Sequence, residues 1–172
     1  MSAQSYITPF GGYHPQISPD AFVDISVRII GRVEIRTGVT IWPGAVLRAD
    51  DERIVVGQGS AVLDLALVEA PEGKPVIIGE NVLISHQACL HGASVESGAL
   101  VGIGAIVLDG AVVRTGAIVG AGAVVPPGRE VPPNTLVLGQ PAKPIRALRP
   151  AERENILRQL AELARKASEY QR

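Results

Sequence analysis

His86 and His91 stand five residues apart in "ISHQACLHGAS" (84–94), and they are two of only three histidines in the chain. Imidazole is a common zinc ligand and the side chain whose proton exchange falls nearest neutral pH. The pair therefore suits either a metal centre or general acid–base work. Charged groups that could assist lie upstream: Arg48, Asp50, Asp51 and Glu52 in "LRADDER", Asp64 in "VLDLAL" and Glu69 in "LVEAPEG". Taken alone, each histidine is equally well an ordinary polar residue on a solvated surface. What the group can do depends on which of these side chains the fold stacks together.

The fold is legible as a period of six. Val95, Val101, Val107, Val113, Val119, Val125, Val131 and Val137 recur at that interval, as do Ile17, Val23, Ile29, Ile35, Ile41 and Leu47. Val56, Val62 and Val68 form a shorter set, and Ile78, Ile84 and Leu90 another. The fifth place of each hexad is usually small or branched, as in "VGIGAI" and "VGAGAV". Such a repeat predicts an all-β solenoid with one short strand and one turn per hexad, the aliphatic pointing inward and Gly, Asp or Asn serving the turns. Three hexads close one triangular coil, and coils stack at about 4.7–4.9 Å. A narrow prism leaves no room for rings, which matches 47% hydrophobic residues of which few are aromatic.

The period breaks in three places. "RADDER" (48–53) and "EAPEGKPV" (69–76) read as loops leaving the prism, and the step from Leu90 to Val95 is five residues. Beyond "GQPAKPIRALRP" the spacing becomes helical, with Ile156, Leu160, Leu163 and Ala167 on one stripe and Glu154/Arg158 and Glu162/Lys166 as i,i+4 pairs. The expected organisation is a β-helix over 1–148 and a helix over 149–172, packed on the prism or on a neighbour. Trp42 is expected at the surface or an interface, and His14, ahead of the coils, as structural or incidental.

Composition narrows the partners. A net charge of −1 offers no general attraction for nucleic acid or an anionic membrane. Cys89 is the only cysteine, so an internal disulfide is excluded and a reducing, cytoplasmic setting is expected. The N-terminus shows no signal-peptide pattern, and no apolar run is long enough to span a membrane.

Counting by sixes places the candidate residues. Arg48, Glu69 and His91 each follow the inward residue of the third hexad in successive coils, so they should form one column. Asp64 and His86 take the third place of the second hexad and should stack on a different face. A convex corner then separates the two histidines. Zinc needs donor atoms at about 2.0–2.2 Å, and rings diverging around a corner cannot both reach one ion. Neighbouring prisms in a threefold homotrimer could, with His91 and Glu69 from one subunit and His86 from the next.

On these residues the chain resembles the gamma-class carbonic anhydrases, which are left-handed β-helix trimers. The likeness runs from about residue 9 to 148 and is dense in "IWPGAVLRAD", "GKPVIIGENVLISHQACLHG", "VGIGAIVLDGAVV" and "VLGQPAK". The left-handed sense comes from that likeness alone. The resemblance implies a zinc ion between subunits, with His86 and His91 matching two of three zinc histidines. Arg48 and Asp50 match the arginine and aspartate of an "LRxD" motif, and Asp64 the aspartate of a "QD" pair. Two positions depart from the pattern: Glu69 stands where the third zinc histidine falls, and Leu63 where the glutamine falls that helps hold the catalytic water. The implied reaction is reversible hydration of carbon dioxide, with Asp51 or Glu52 carrying the released proton to bulk.

Glu69 as a ligand would give a two-histidine, one-carboxylate centre, suited to zinc and also to iron. As the partner of Arg48 it would form an ion pair without metal. Two other functions stay open. One is an acyl-CoA-dependent acyltransferase using His86 or His91 as general base, since hexapeptide prisms also host those. The other is a non-catalytic trimeric scaffold.

Overall fold

The computed structural model describes residues 6–170. Two-residue strands such as Leu83–Ile84 and Leu100–Val101 stack in parallel register, each hexad adding one strand to one of three faces. The first face carries Ile35, Val56, Ile78, Val95, Val113 and Val131; the second carries Val23, Ile41, Val62, Ile84, Val101, Val119 and Val137; the third carries Ile29, Leu47, Val68, Leu90, Val107 and Val125. The result is a left-handed parallel β-helix closed by a C-terminal helix.

The interior is filled from two places in the hexad. The first-place aliphatics line the faces, while Ala99, Ala105, Ala111, Ala117 and Ala123 fill the corners, and all are buried. Each fully buried Val, Leu or Ile contributes about 1.5–3 kcal/mol. Among the described residues, no ring enters this stack. Turn backbones repeatedly take a positive φ, mostly at glycine and at Asn81, Gln87, Asn134 and Leu65 among the others.

Two features differ from expectation. "RADDER" is not a loop: the strand Val46–Val56 runs unbroken through it and rounds the corner from the third face to the first beside the strand Arg28–Ile35. Their register jumps from Gly31↔Ala49 to Val33↔Ile54, so residues 50–53 oppose Arg32 alone. The extra residues are taken up as a bulge in extended chain. "EAPEGKPV" does contain a loop, between Leu67–Glu69 and Val76–Ile78.

Trp42 is the second correction. It lies buried outside the prism, against Phe22 at 5.3 Å and Tyr170 at 5.5 Å between ring centroids. The helix Pro150–Tyr170 covers it, laying Ile156, Leu160 and Ala167, with Leu163 partly buried, on Ala61, Leu63 and Leu83 of the second face. The aliphatic rings of the prism could not accommodate an indole, so the helix supplies its cover. Among the described residues, no helix is long and apolar enough to cross a membrane.

The last strand, Lys143–Ala147, turns back antiparallel along Thr135–Leu138 and leads into the helix. Pro150 occupies the first helical turn, where its missing N–H costs nothing. Glu152 accepts the Arg149 amide at 2.7 Å and both guanidinium nitrogens of Arg146 at 2.8 Å. These bonds, led by the one from Arg146, pull the Glu152 carboxyl from 4.5 to about 2. A depressed folded value means this fastening is complete above the ordinary carboxyl range and fades as pH falls from about 4.5 towards 2. Glu152→Gln is therefore expected to lower thermal stability at neutral pH and to flatten the acid limb in that window, as read by melting scans across pH.

Candidate functional site

Arg48, Glu69 and His91 stand directly in register on adjacent strands of the third face. Arg48 donates to Asp50 at 3.1 Å through Nη1 and to Glu69 Oε1 through Nη2. The same Oε1 lies 3.7 Å from His91 Nε2. One coil further on, Asp109 accepts a hydrogen bond from His91 Nδ1. Arginine, carboxylate, imidazole and carboxylate thus alternate along one edge. The bond from His91 is the main reason the Asp109 carboxyl sits below its ordinary value. With Nδ1 turned to that bond, Nε2 is the nitrogen that faces Glu69.

His86 also has a carboxylate beside its ring, on the second face: its Nδ1 lies 3.0 Å from Asp64 Oδ2, one coil back. A carboxylate on one ring nitrogen fixes the tautomer and orientation of a metal-binding histidine. The corner between the two rings is built by Gln87, at a φ of 58°, and buried Ala88. Among the described residues, no three His, Cys, Asp or Glu side chains of one chain converge so as to hold an ion.

The other residues singled out from sequence fall around this edge. Asp50 is tied to Arg48, Asp51 is exposed, and the Glu52 amide donates to the Ala70 carbonyl at 3.0 Å. Cys89, half-buried on the same strand as His91, has its thiol pushed up by burial and then by the Glu69 carboxylate, which keeps it protonated and a poor nucleophile. Leu63 is only 6% exposed and packs beneath the helix with Leu83, Ile156 and Leu160. An apolar side chain there serves the helix contact and has no polar group to offer a water. Leu63→Gln is expected to cost about 1–3 kcal/mol in denaturant unfolding, because its amide would be desolvated.

Sequence reasoning missed Asp109. It is the third residue of its hexad whereas His91 is the second, so matching like places along the column passes it by. Its side chain reaches across the corner instead. The signal available was only a carboxylate one coil away and one place on. Lys74, from the loop between Glu69 and Val76, adds a smaller electrostatic pull on Asp109.

A groove of about 430 Å³ runs between His86 and the helix, with Asn155, Arg158, Glu162 and Lys166 on its far wall.

Comparison with known proteins supplies the family. A carbonic anhydrase of Geobacillus kaustophilus is 40% identical over 142 residues, covering 83% of this chain and 78% of that one. The chain belongs to the gamma carbonic anhydrase family. Gamma carbonic anhydrase 1, mitochondrial, of Arabidopsis thaliana is 44% identical over 88 residues, or 48% of this chain. That match spans about a third of the plant relative's length. A crystal structure of a putative acetyltransferase from Bacillus cereus superposes with a TM-score of 0.93 at 35% identity, covering 95% of each chain. No protein-family model matches the chain. Gamma carbonic anhydrase relatives and hexapeptide transferases thus share this prism, and the site residues must discriminate between their chemistries.

Proposed function

We propose that this gamma carbonic anhydrase family member assembles as a homotrimer and holds zinc between subunits, on His86 of one copy and on His91 and Glu69 of the next, giving weak reversible hydration of carbon dioxide. The observation that carries the reading is the shared placement of the two histidines: each has Nδ1 beside a carboxylate, and Nε2 of His91 stands 3.7 Å from Glu69, its proposed co-ligand. Two imidazoles prepared alike fit a metal better than they fit two solvated polar residues.

Glu69 stands where the family pattern has its third zinc histidine, and it fits less well. Its Oε1 is already engaged by Arg48, so it offers a cation a carboxylate oxygen partly neutralised in advance. Zinc supplies a bound water with a pKa of about 7, and a carboxylate among its ligands leaves that water less acidic than three neutral imidazoles would. The same donor set suits iron. Asp64 orients His86, Arg48 fixes both Glu69 and Asp50, and Glu52 on the bulge carries the released proton to solvent. Leu63 contributes no hydrogen bond to the reacting water.

Asp109→Asn is expected to weaken zinc about 10–100-fold, since the amide no longer enforces the Nδ1-protonated ring. Titration against a competing chelator reads this, with the circular dichroism spectrum unchanged.

Metal content, carbon dioxide hydration and mass in solution, measured on one sample, test the reading. A trimer with zinc near one per chain and hydration lost on chelation supports it. A metal-free trimer without hydration leaves the scaffold reading, and a monomer removes the site altogether. A second reading, acyl transfer from acyl-CoA with His86 as general base, is favoured by the groove that Arg158 and Lys166 line beside that ring. Binding of acetyl-CoA by metal-free protein would support it.

A further inference from the structure

A second cavity, of about 450 Å³, opens at the other side of the corner, on the first face. Its outer wall is a tight turn in which Phe10 and Tyr13 exchange backbone hydrogen bonds at 2.9 and 3.0 Å across Gly11 and Gly12. His14 and Gln16 follow from that turn, Arg32 and Glu34 come from the strand Arg28–Ile35, and Arg53 comes from the bulge. The bulge matters here: the register jump sets residues 50–53 opposite Arg32, so two arginines from neighbouring strands share one cavity.

Charge in this cavity is unbalanced. The Arg32 guanidinium lies 3.7 Å from the centroid of the Tyr13 ring. Stacking fixes its plane and leaves the in-plane N–H edge to a ligand. Arg32 Nε is buried with no hydrogen-bond partner among the described residues, a state that buried polar groups seldom keep. The only carboxylate on the walls, Glu34, pairs with Arg36 at 2.9 Å. Two guanidinium groups and an imidazole therefore face a space that holds no uncommitted acid.

We propose that this cavity binds a small organic oxyanion, a carboxylate or a phosphate ester, between Arg32 and Arg53. Planar, forked donors match the paired oxygens of either group. The volume falls in the range of about 300–1,000 Å³ typical of metabolite pockets, larger than a bare inorganic ion requires. The occupant thus carries a carbon skeleton. The site shares no residue with the candidate metal centre and does not depend on it.

The test is calorimetric titration of the metal-stripped protein with succinate and, separately, with glycerol 3-phosphate. Saturable binding of either is expected, weakened about tenfold or more by Arg53→Gln and further by Arg32→Gln. Which probe binds tells carboxylate from phosphate ester. Arg53 is exposed, so its variant should keep the wild-type circular dichroism spectrum. Failure of both probes to saturate, or binding that Arg53→Gln leaves unchanged, overturns the proposal.

Discussion

Glu69→His is expected to raise zinc affinity about a hundredfold or more, and carbon dioxide hydration with it. The ion pair on the column is the reason. Glu69 now gives its inner oxygen to Arg48, so a metal must compete with a guanidinium for the same lone pairs. An imidazole at this place carries no charge for Arg48 to claim, and Arg48 retains Asp50 at 3.1 Å. An outer partner of a ligand is by itself worth about 10–100-fold in affinity; a ligand released from competition should exceed that. The measurement is zinc affinity by chelator competition, followed by hydration rate at saturating zinc. Because Leu63 still offers no hydrogen bond to water, the rate should rise less than the affinity does. Unchanged zinc affinity would mean that Glu69 does not face the metal across the interface.

Gly31→Ala is expected to lose about 2–5 kcal/mol of stability. Gly31 has a φ of 79°, and a Cβ there would come within 2.1 Å of the Ala49 carbonyl oxygen. A left-handed conformation costs a residue with a side chain about 1–2 kcal/mol, and forced displacement of packed backbone adds about 1–3 kcal/mol. The matched control is Gly104→Ala, at a φ of 61°, where a Cβ meets nothing within 4 Å. It should lose only the conformational part. Denaturant unfolding of the two variants separates steric from conformational cost; equal losses would place the whole effect in φ. Ala49 lies between Arg48 and Asp50, so a displaced strand at Gly31 should also disturb the column on which Glu69 depends.

The six-residue period carries the solenoid, its three faces and the columns, because in a parallel stack a side chain's height follows from its place in the count. Arg48, Glu69 and His91 fall in register for that reason, as do Asp64 and His86. Position along the chain says less where the count is interrupted. "RADDER" looks like a loop because charged residues favour solvent, yet a bulge absorbs it within a strand, and only the pairing with Arg28–Ile35 reveals this. Likewise the helical stripe is visible in Ile156, Leu160 and Ala167, but not the surface it covers. Trp42 and Leu63 consequently read as a surface or interface ring and a missing amide, when both are floor beneath the helix. Asp109 shows a further limit, since its bond to His91 crosses places rather than following a column.

A stack of parallel strands ends in unpaired peptide groups, an invitation for another molecule to continue it. Here the strand Lys143–Ala147 folds back antiparallel over Thr135–Leu138, and residues 139–142 close the adjoining face, with the Val124 amide bonded to the Gly139 carbonyl and the Ala142 amide to the Val124 carbonyl. Reversed polarity on the second face presents no template that a parallel coil could extend there, whereas Glu130–Val131 on the first face pairs with Val112–Val113 alone. End-to-end growth is thereby hindered over two of the three faces at this end of the prism.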